Sequence, residues 1–357
     1  MNILLTGATG FLGKQLTLKL LSEGHSVYAL IRNERKADRL IEALPADLQN
    51  NLFIIKGNLG DERLGVPFET IDLLKGKIDT VYHIAAYLSF DDRERDKTFE
   101  INVEGTRNVL EFSKDIQVKN FYHVSTAYTL GAQLHGREEL HPKDNTFVNP
   151  YEESKCHAEH LVFDYNNVFN VSIFRPAIII GDSKTGEAET TFALYGVIRS
   201  LELLKKRLDR KQDTPSEKIK FLCNQEAAQN LVPVDYVVNV LALGLTSAKP
   251  DTIYHITNSQ PPTNQLVLDL IQSALDFYNV ELVPTDYEGE LTDQDMKLNQ
   301  PMKVFHKYFE KTLTFDDSNT QELLHENNVE ELHLDRETLQ MIISGGMKSQ
   351  DKGIAAK

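Results

Sequence analysis

The sequence predicts an α/β protein: a Rossmann-type, doubly wound parallel sheet joined to a smaller C-terminal α/β substrate lobe. Three observations predict it. Short apolar, β-rich runs alternate with helical stretches through the first 180 residues, the pattern of βαβ units whose sheet is covered on both faces. The glycine cluster "TGATGFLG" (Thr6–Gly13) follows the first run and opens the first helix. After Gly181 the alternation gives way to a polar loop and long amphipathic helices.

In order, "NILLTG" reads as a strand and "KQLTLKLLSEGH" as a helix, with Leu16, Leu20 and Leu21 at helical spacing. "SVYALIR", "NLFIIKGNL", "DTVYHIAA", "VKNFYHVST" and "VSIFRPAIIIG" supply five more strands. Helices "INVEGTRNVLEFSK" and "YEESKCHAEHLVFDYN" lie between them. "FALYGVIRSLELLKKRL" carries Leu194, Val197, Ile198, Leu201 and Leu204 on one stripe. "TIYHITNS" reads as one further strand of the first sheet. The expected division is therefore 1–180 plus about 225–258 for a dinucleotide-binding domain, and 181–224 plus 259–343 for a substrate lobe. Residues 344–357, poor in apolar side chains, are expected as a flexible tail.

At 357 residues and 41% hydrophobic content, the chain is large enough for two lobes. A formal net charge of −15 argues against a nucleic-acid partner, which would leave a basic footprint. Two cysteines, Cys156 and Cys223, form no CxxC spacing and suit a reducing compartment. No apolar run approaches the roughly 20 residues of a membrane span, and "MNILL" has no signal-peptide features. A cytoplasmic protein is expected.

Gly7, Gly10 and Gly13 stand between a strand and a helix, the setting that a dinucleotide pyrophosphate requires. NAD sites usually carry an acid about 20 residues further on, for the ribose 2′-hydroxyl. Here "ALIRNER" puts Arg32 at that position, with Arg35 close behind. A guanidinium matches a 2′-phosphate, so NADPH/NADP is the expected cofactor.

"NPYEESKCHAEH" places Tyr151 and Lys155 one turn apart on one helix face. Thr126 ends the "FYHVST" strand, where ligands of such sheets sit. A free phenol has a pKa of roughly 10 and a neighbouring ammonium lowers it, making Tyr151 a usable proton donor. Thr126 can hold the substrate oxygen, and Lys155 can also hold the nicotinamide ribose.

With these motifs the chain resembles an extended short-chain dehydrogenase/reductase, in the order TGxxGxxG, "NVEGT", YxxxK. It is similar in particular to the thioester-reductase and fatty acyl-CoA reductase (male-sterility-type) branch. The segments "GNLGDERLGV", "VYHIAA", "YHVSTAY", "NPYEESKCHAE", "FRPAIIIGDSKTGE" and "NLVPVDYV" carry the likeness from Asn2 to about Thr257. The resemblance implies Thr126, Tyr151 and Lys155 as the triad, and Gly7, Thr9, Gly10, Phe11, Leu12 and Gly13 as the phosphate loop. It further implies Arg32 at the 2′-phosphate, Ala85 beside the cofactor, and Pro176, Ala177 and Ile178 at the nicotinamide. Asn58–Leu59 replaces the family's Asp-Leu at the adenine, where an amide can still donate and accept.

Asn102 in "INVEGT" has two readings, a proton relay behind Lys155 or an amide that ties its helix to a strand. Ser125 competes with Thr126, and the family position favours Thr126. "KCHAEH" sets its histidines three apart rather than four, so no metal is expected. Cys156 is not needed as a nucleophile for hydride chemistry, and His83 reads as a packed strand residue. "KKRLDRK" (Lys205–Lys211) is either a solvated helix end or a docking patch for coenzyme A phosphates or an acidic carrier protein.

The reading that follows is an NADPH-dependent reductase of an acyl thioester, bound to CoA or to a carrier protein, or of the derived aldehyde. Reduction of a ketone, alcohol or nucleotide sugar is the alternative. A non-catalytic NADP-binding regulator is the third, and it is disfavoured because both Tyr151 and Lys155 are present.

Overall fold

Seven parallel strands make the central sheet: Asn2–Thr6 (β1), Ser26–Ile31 (β2), Leu52–Lys56 (β3), Thr80–His83 (β4), Asn120–Val124 (β5), Asn170–Pro176 (β6) and Thr252–Ile256 (β7). The structure, a computed structural model, describes residues 1–188, 194–211 and 217–355, without the side chains of Lys211 and of residues beyond 347. The strand order is β7-β6-β5-β4-β1-β2-β3. Chain direction along the sheet reverses between β1 and β4, where Thr6 faces His83. That is where an open α/β sheet leaves a crevice for a ligand.

Because all seven strands run the same way, their carboxyl ends share one edge. Gly7, Arg32, Asn58, Ala85, Thr126 and Ala177 each follow the end of a different strand by one or two residues. Residues scattered over 170 positions are thereby brought to one rim. Beneath it Leu4, Tyr28, Val81, Phe112, Phe121 and Val171 belong to a single buried cluster, and the near-continuous apolar strands reflect burial on both faces.

The chain divides into two compact units. The first comprises Met1–Ala177, Val237–Ile256 and Phe315–Glu331. The second comprises Ile178–Tyr236, Thr257–Thr314 and the chain from Leu332. Three features differ from the sequence-based division. "VSIFRPAIIIG" is not one strand: it breaks at Ala177, and Ile178–Ile180 pairs with Leu231–Pro233 in the second unit. Residues 225–236, expected in the dinucleotide-binding domain, belong to the second unit, and residues 315–331, expected in the substrate lobe, belong to the first. There the helix Ser318–Glu326 packs on the edge strand β7, and Asn319 donates its amide to Ile253 O at 2.9 Å. Covering a terminal strand in this way protects its unpaired edge.

The third difference is the expected tail, which begins inside the helix Arg336–Ala355. Gly345 lies against the Gly186 backbone and Gly346 against the Tyr195 ring, each so close that a Cβ would come within 2.3 Å. A segment poor in apolar side chains thus packs through its glycines. The last two residues of that expectation, 356 and 357, lie outside the described residues. In the second unit, Leu194, Val197, Ile198, Leu201 and Leu204 are all buried along the helix Leu194–Lys211.

Candidate active site

The glycine loop is built for close approach. Gly7 has φ +81°, in the left-handed region, and a Cβ there would meet Ala85 N at 2.8 Å. A Cβ on Gly13 would sit 2.1 Å from Gly7 O, so the helix Phe11–Ser22 presses directly on the loop. Gly10 differs: only Gly7 O, at 3.4 Å, is near. Gly10 is the N-cap and offers no side-chain cap, and the first turn contains no acid. The N–H groups of Phe11, Leu12 and Gly13 therefore point out of an uncapped, partially positive helix end, which suits a pyrophosphate. Thr9 lies half-buried in the same turn.

Below the loop a hydrogen-bond chain fixes the β1–β4 junction. The Ala85 N–H donates to Thr6 Oγ1 at 3.2 Å, and Thr6 Oγ1 lies 2.8 Å from His83 Nδ1. His83 Nε2 lies 2.9 Å from Thr106 Oγ1, whose own proton goes to Asn102 O. The Thr106 proton is committed to Asn102 O, so His83 carries a hydrogen on Nε2, and its lowered pKa leaves Nδ1 bare to accept from Thr6. Burial pushes its pKa down to about 3. His83 is a structural link.

Asn102 lies in a single π-helical turn, Glu100–Glu104, set between Arg95–Phe99 and Gly105–Asp115. Its Oδ1 accepts from Tyr87 N, and its Nδ2 donates to Tyr87 O at 3.0 Å and to Ser154 Oγ at 2.9 Å. Of the two sequence readings, these bonds describe the tie: the amide fastens the loop after β4 to the helix Pro150–Phe163.

That helix starts where its sequence dictates. Asn149 caps it by accepting from Glu152 N at 3.0 Å, Pro150 occupies the first turn, and Glu152 and Glu153 favour the positive end. Tyr151 and Lys155 thus stand one turn apart. Lys155 is 2% exposed. Its Nζ donates to Val124 O at 2.8 Å and lies 3.1 Å from His123 Nε2. This brings the helix against the end of β5, two residues before Thr126. The Thr126 Oγ1 accepts from Tyr128 N at 3.3 Å, which leaves the hydroxyl proton free to donate. Ser125 Oγ is more deeply buried and has no partner among the described residues.

The protonation picture corrects the sequence argument. Lys155 was expected to lower the Tyr151 phenol; instead burial raises it, and the Glu152 carboxylate adds to the effect. Lys155 itself is lowered to about 7, because burial penalises the ammonium. A charge that is itself on the verge of loss cannot strongly acidify its neighbour. Tyr151 stacks at a tilt on Phe90, with ring centroids 6.3 Å apart.

Arg32 follows β2, is exposed and points no hydrogen bond at another side chain among the described residues, whereas Glu34 is engaged by Lys56 at 2.6 Å. Asn58 is held through its backbone, its N–H donating to Leu64 O at 2.9 Å. Leu59 O accepts from Asn108 Nδ2 at 2.7 Å. Pro176 ends β6, the Ala177 N–H donates to Ile256 O, and Ile178 opens the second unit with its N–H on Asn230 O, both at 3.0 Å.

Two features had no sequence signal. Arg175 and Glu159 are both 0% exposed and form a bidentate ion pair at 2.6 and 2.9 Å, so Glu159 of "KCHAEH" is the helix's anchor to β6. Arg175 is satisfied further by the carbonyls of Arg137 and Glu139. Cys156 Sγ and His160 Nε2 both donate to His141 O, and burial pushes the thiol up to about 12. His123 is the second feature. A lone strand histidine looks like core until a buried lysine is found beside it.

The model of the Male sterility protein family matches residues 5–241, about two thirds of the chain. The chain belongs to this family. It is an extended short-chain dehydrogenase/reductase of the thioester-reductase and fatty acyl-CoA reductase branch, a family of NAD(P)-dependent oxidoreductases. Similar curated proteins include sterol demethylase protein B of Methylococcus capsulatus, 32% identical over 51% of this chain and 52% of that protein. Human fatty acyl-CoA reductase 1 is 30% identical over 67% of this chain and 53% of its own. The chain thus spans about half the length of these relatives. Among solved structures, the terminal R domain of the myxalamid PKS-NRPS pathway shares the fold. Its TM-score is 0.79 at 23% identity, covering 96% of this chain and 90% of that one. Among the described residues no helix is long and apolar enough to cross a membrane.

Proposed function

We propose that the protein is an NADPH-dependent reductase of an acyl thioester, or of the aldehyde derived from it. The observation that carries this reading is the Lys155 Nζ bond to Val124 O, which docks the tyrosine-bearing helix against the strand end that presents Thr126. The fatty acyl-CoA reductases among the relatives support the thioester class. When bound, NADPH supplies the hydride. The uncapped turn at Gly10–Gly13 would hold the pyrophosphate, Arg32 the 2′-phosphate, Asn58 and Leu59 the adenine, and Lys155 the nicotinamide ribose. Ala85, Pro176, Ala177 and Ile178 would line its path.

Thr126 donates its free proton to the substrate carbonyl oxygen and orients it. Tyr151 then transfers the phenolic proton to that oxygen. A raised phenol pKa keeps Tyr151 protonated at neutral pH, which is the state from which a reduction starts. Thioester reduction gives a hemithioacetal that collapses to aldehyde and thiol. For the thiol carrier, Lys206, Arg207 and Arg210 line one exposed face of the helix Leu194–Lys211, around Leu203 at 48% exposure. This basic stripe, with the exposed Asp209 on its flank, suits coenzyme A phosphates or an acidic carrier protein. Unchanged apparent affinity for both after charge reversal would remove that role.

The deciding experiment follows NADPH oxidation at 340 nm with acyl-CoA thioesters and matched aldehydes, against Tyr151→Phe and against NADH. Thioester turnover lost in the variant establishes the reading. Turnover of aldehydes alone reduces it to carbonyl reduction. No turnover despite tight NADPH binding refutes it and turns attention to nucleotide sugars.

A further inference from the structure

His123 takes no part in the chemistry above, yet it lies against the group that chemistry depends on. It is fully buried on β5, with Nε2 3.1 Å from Lys155 Nζ, while Nδ1 has no partner among the described residues. The titratable groups facing it are His83 of β4, with ring centroids 5.3 Å apart, and Lys155, which is followed one turn later by Glu159. His83 is committed through both nitrogens to Thr6 and Thr106, and Glu159 to Arg175. Only Lys155 is left to share a proton with His123.

We propose that His123 is the positioning residue for Lys155, holding Nζ against the end of β5 in either protonation state by exchanging tautomers. With a neutral amine, His123 Nε2–H donates to the nitrogen lone pair, Nζ donates one N–H to Val124 O and keeps a second, and Nδ1 is bare. With an ammonium, Nζ donates to both Nε2 and Val124 O, the imidazole hydrogen sits on Nδ1, and one ammonium N–H remains for a ligand. The conversion adds one proton in all, carried on lysine, and the imidazole stays neutral throughout. The amine state leaves one N–H and the bare Nδ1 without partners, the ammonium state two N–H groups; an under-satisfied buried acceptor is better tolerated than an orphaned buried N–H, so the cofactor-free protein favours the amine. A cofactor hydroxyl accepts the remaining N–H more strongly from the charged ammonium than from the amine, and so tips the pair toward the ammonium. Burial moves the two groups consistently with this: Lys155 falls to about 7 and His123 well below its ordinary value.

The role rests on the proposed cofactor site, and its test does not require turnover. NADPH affinity of the full chain is measured by nicotinamide fluorescence from about pH 5.5 to about 9.5, for wild type, His123→Leu and His123→Gln. The wild type is expected to show a midpoint near neutrality. His123→Leu removes a bond from both states, but the one lost from the ammonium is charge-assisted and the stronger, so the midpoint moves to lower pH by about one unit; the Gln amide oxygen restores most of it. A wild-type curve without a midpoint, a folded Leu variant with the wild-type midpoint, or a Gln variant displaced as far as Leu overturns the proposal. If the Leu variant does not fold, His123→Asn, too short to reach Nζ, replaces it in the same comparison. Absence of thioester turnover in wild type would sink the reductase reading and leave the midpoint to decide the role of His123.

Discussion

Replacing Lys155 by methionine removes a proton that the folded protein holds reluctantly, and the consequence is measurable without any substrate. Burial lowers Lys155 from an ordinary 10.5 to about 7. The unfolded chain therefore binds this proton up to about pH 10.5, whereas the folded chain releases it above about 7. Wild-type stability contributed by this group is complete above the unfolded value and is lost as pH falls through that window. Between pH 9 and pH 7 the loss integrates to roughly 1.7 pK units, or about 2 kcal/mol at 1.36 kcal/mol per unit. Methionine has no such proton. It also leaves Val124 O and His123 Nε2 without their hydrogen-bond partner, at about 1 kcal/mol each, but that cost does not change with pH. In urea unfolding of the cofactor-free protein, Lys155→Met should therefore gain about 2 kcal/mol on wild type between pH 9 and pH 7. A difference that stays constant across that range would refute the argument that Lys155 is held near its point of discharge.

Three other perturbations are direct. Gly13→Ala forces a Cβ to 2.1 Å from Gly7 O and should abolish NADPH binding and lower the melting temperature, while Gly10→Ala, with 3.4 Å to the same atom, should fold normally; equal behaviour of the two in calorimetry would contradict the loop geometry. Arg32→Ala should weaken NADPH about ten-fold or more and leave NADH unchanged, as read by titration; parallel losses would deny Arg32 a 2′-phosphate role. Arg175→Met strands the buried Glu159 carboxylate and should cost about 3–5 kcal/mol, much of it recovered in Arg175→Met/Glu159→Met. Thermal denaturation that shows no recovery would mean the arginine acts through the Arg137 and Glu139 carbonyls instead.

The strands, the glycine loop and the Asn149-capped helix were legible because each is written locally, in alternation, in a turn residue or in a cap. Tyr151 and Lys155 were legible for the same reason. The energetic setting of Lys155 was not. It depends on His123 and Val124 from a strand 30 residues earlier, and on burial that no local pattern records. The same holds for Glu159, which in sequence belongs to a metal-like cluster and in space belongs to Arg175. The tail from residue 344 misled in the opposite direction, because scarce apolar side chains read as a chain end, whereas Gly345 and Gly346 pack through their bare backbone. The segment 315–331 was assigned by sequence proximity to the wrong unit, since its contacts with β7 are made across more than 60 residues.

That returning segment sets an order on synthesis. Glu138 accepts from both His255 N and Asn319 N, so one carboxylate fastens chain that leaves the ribosome early to chain that leaves it nearly two hundred residues later. The first unit cannot close before residue 331 has emerged, and until then β7 stands with an open edge, ready to pair with a neighbouring nascent chain. Fusion partners or reporters inserted between residues 257 and 314 would lengthen that exposure. Their first symptom would be lost yield of folded protein rather than a change in the chemistry of the molecules that do fold.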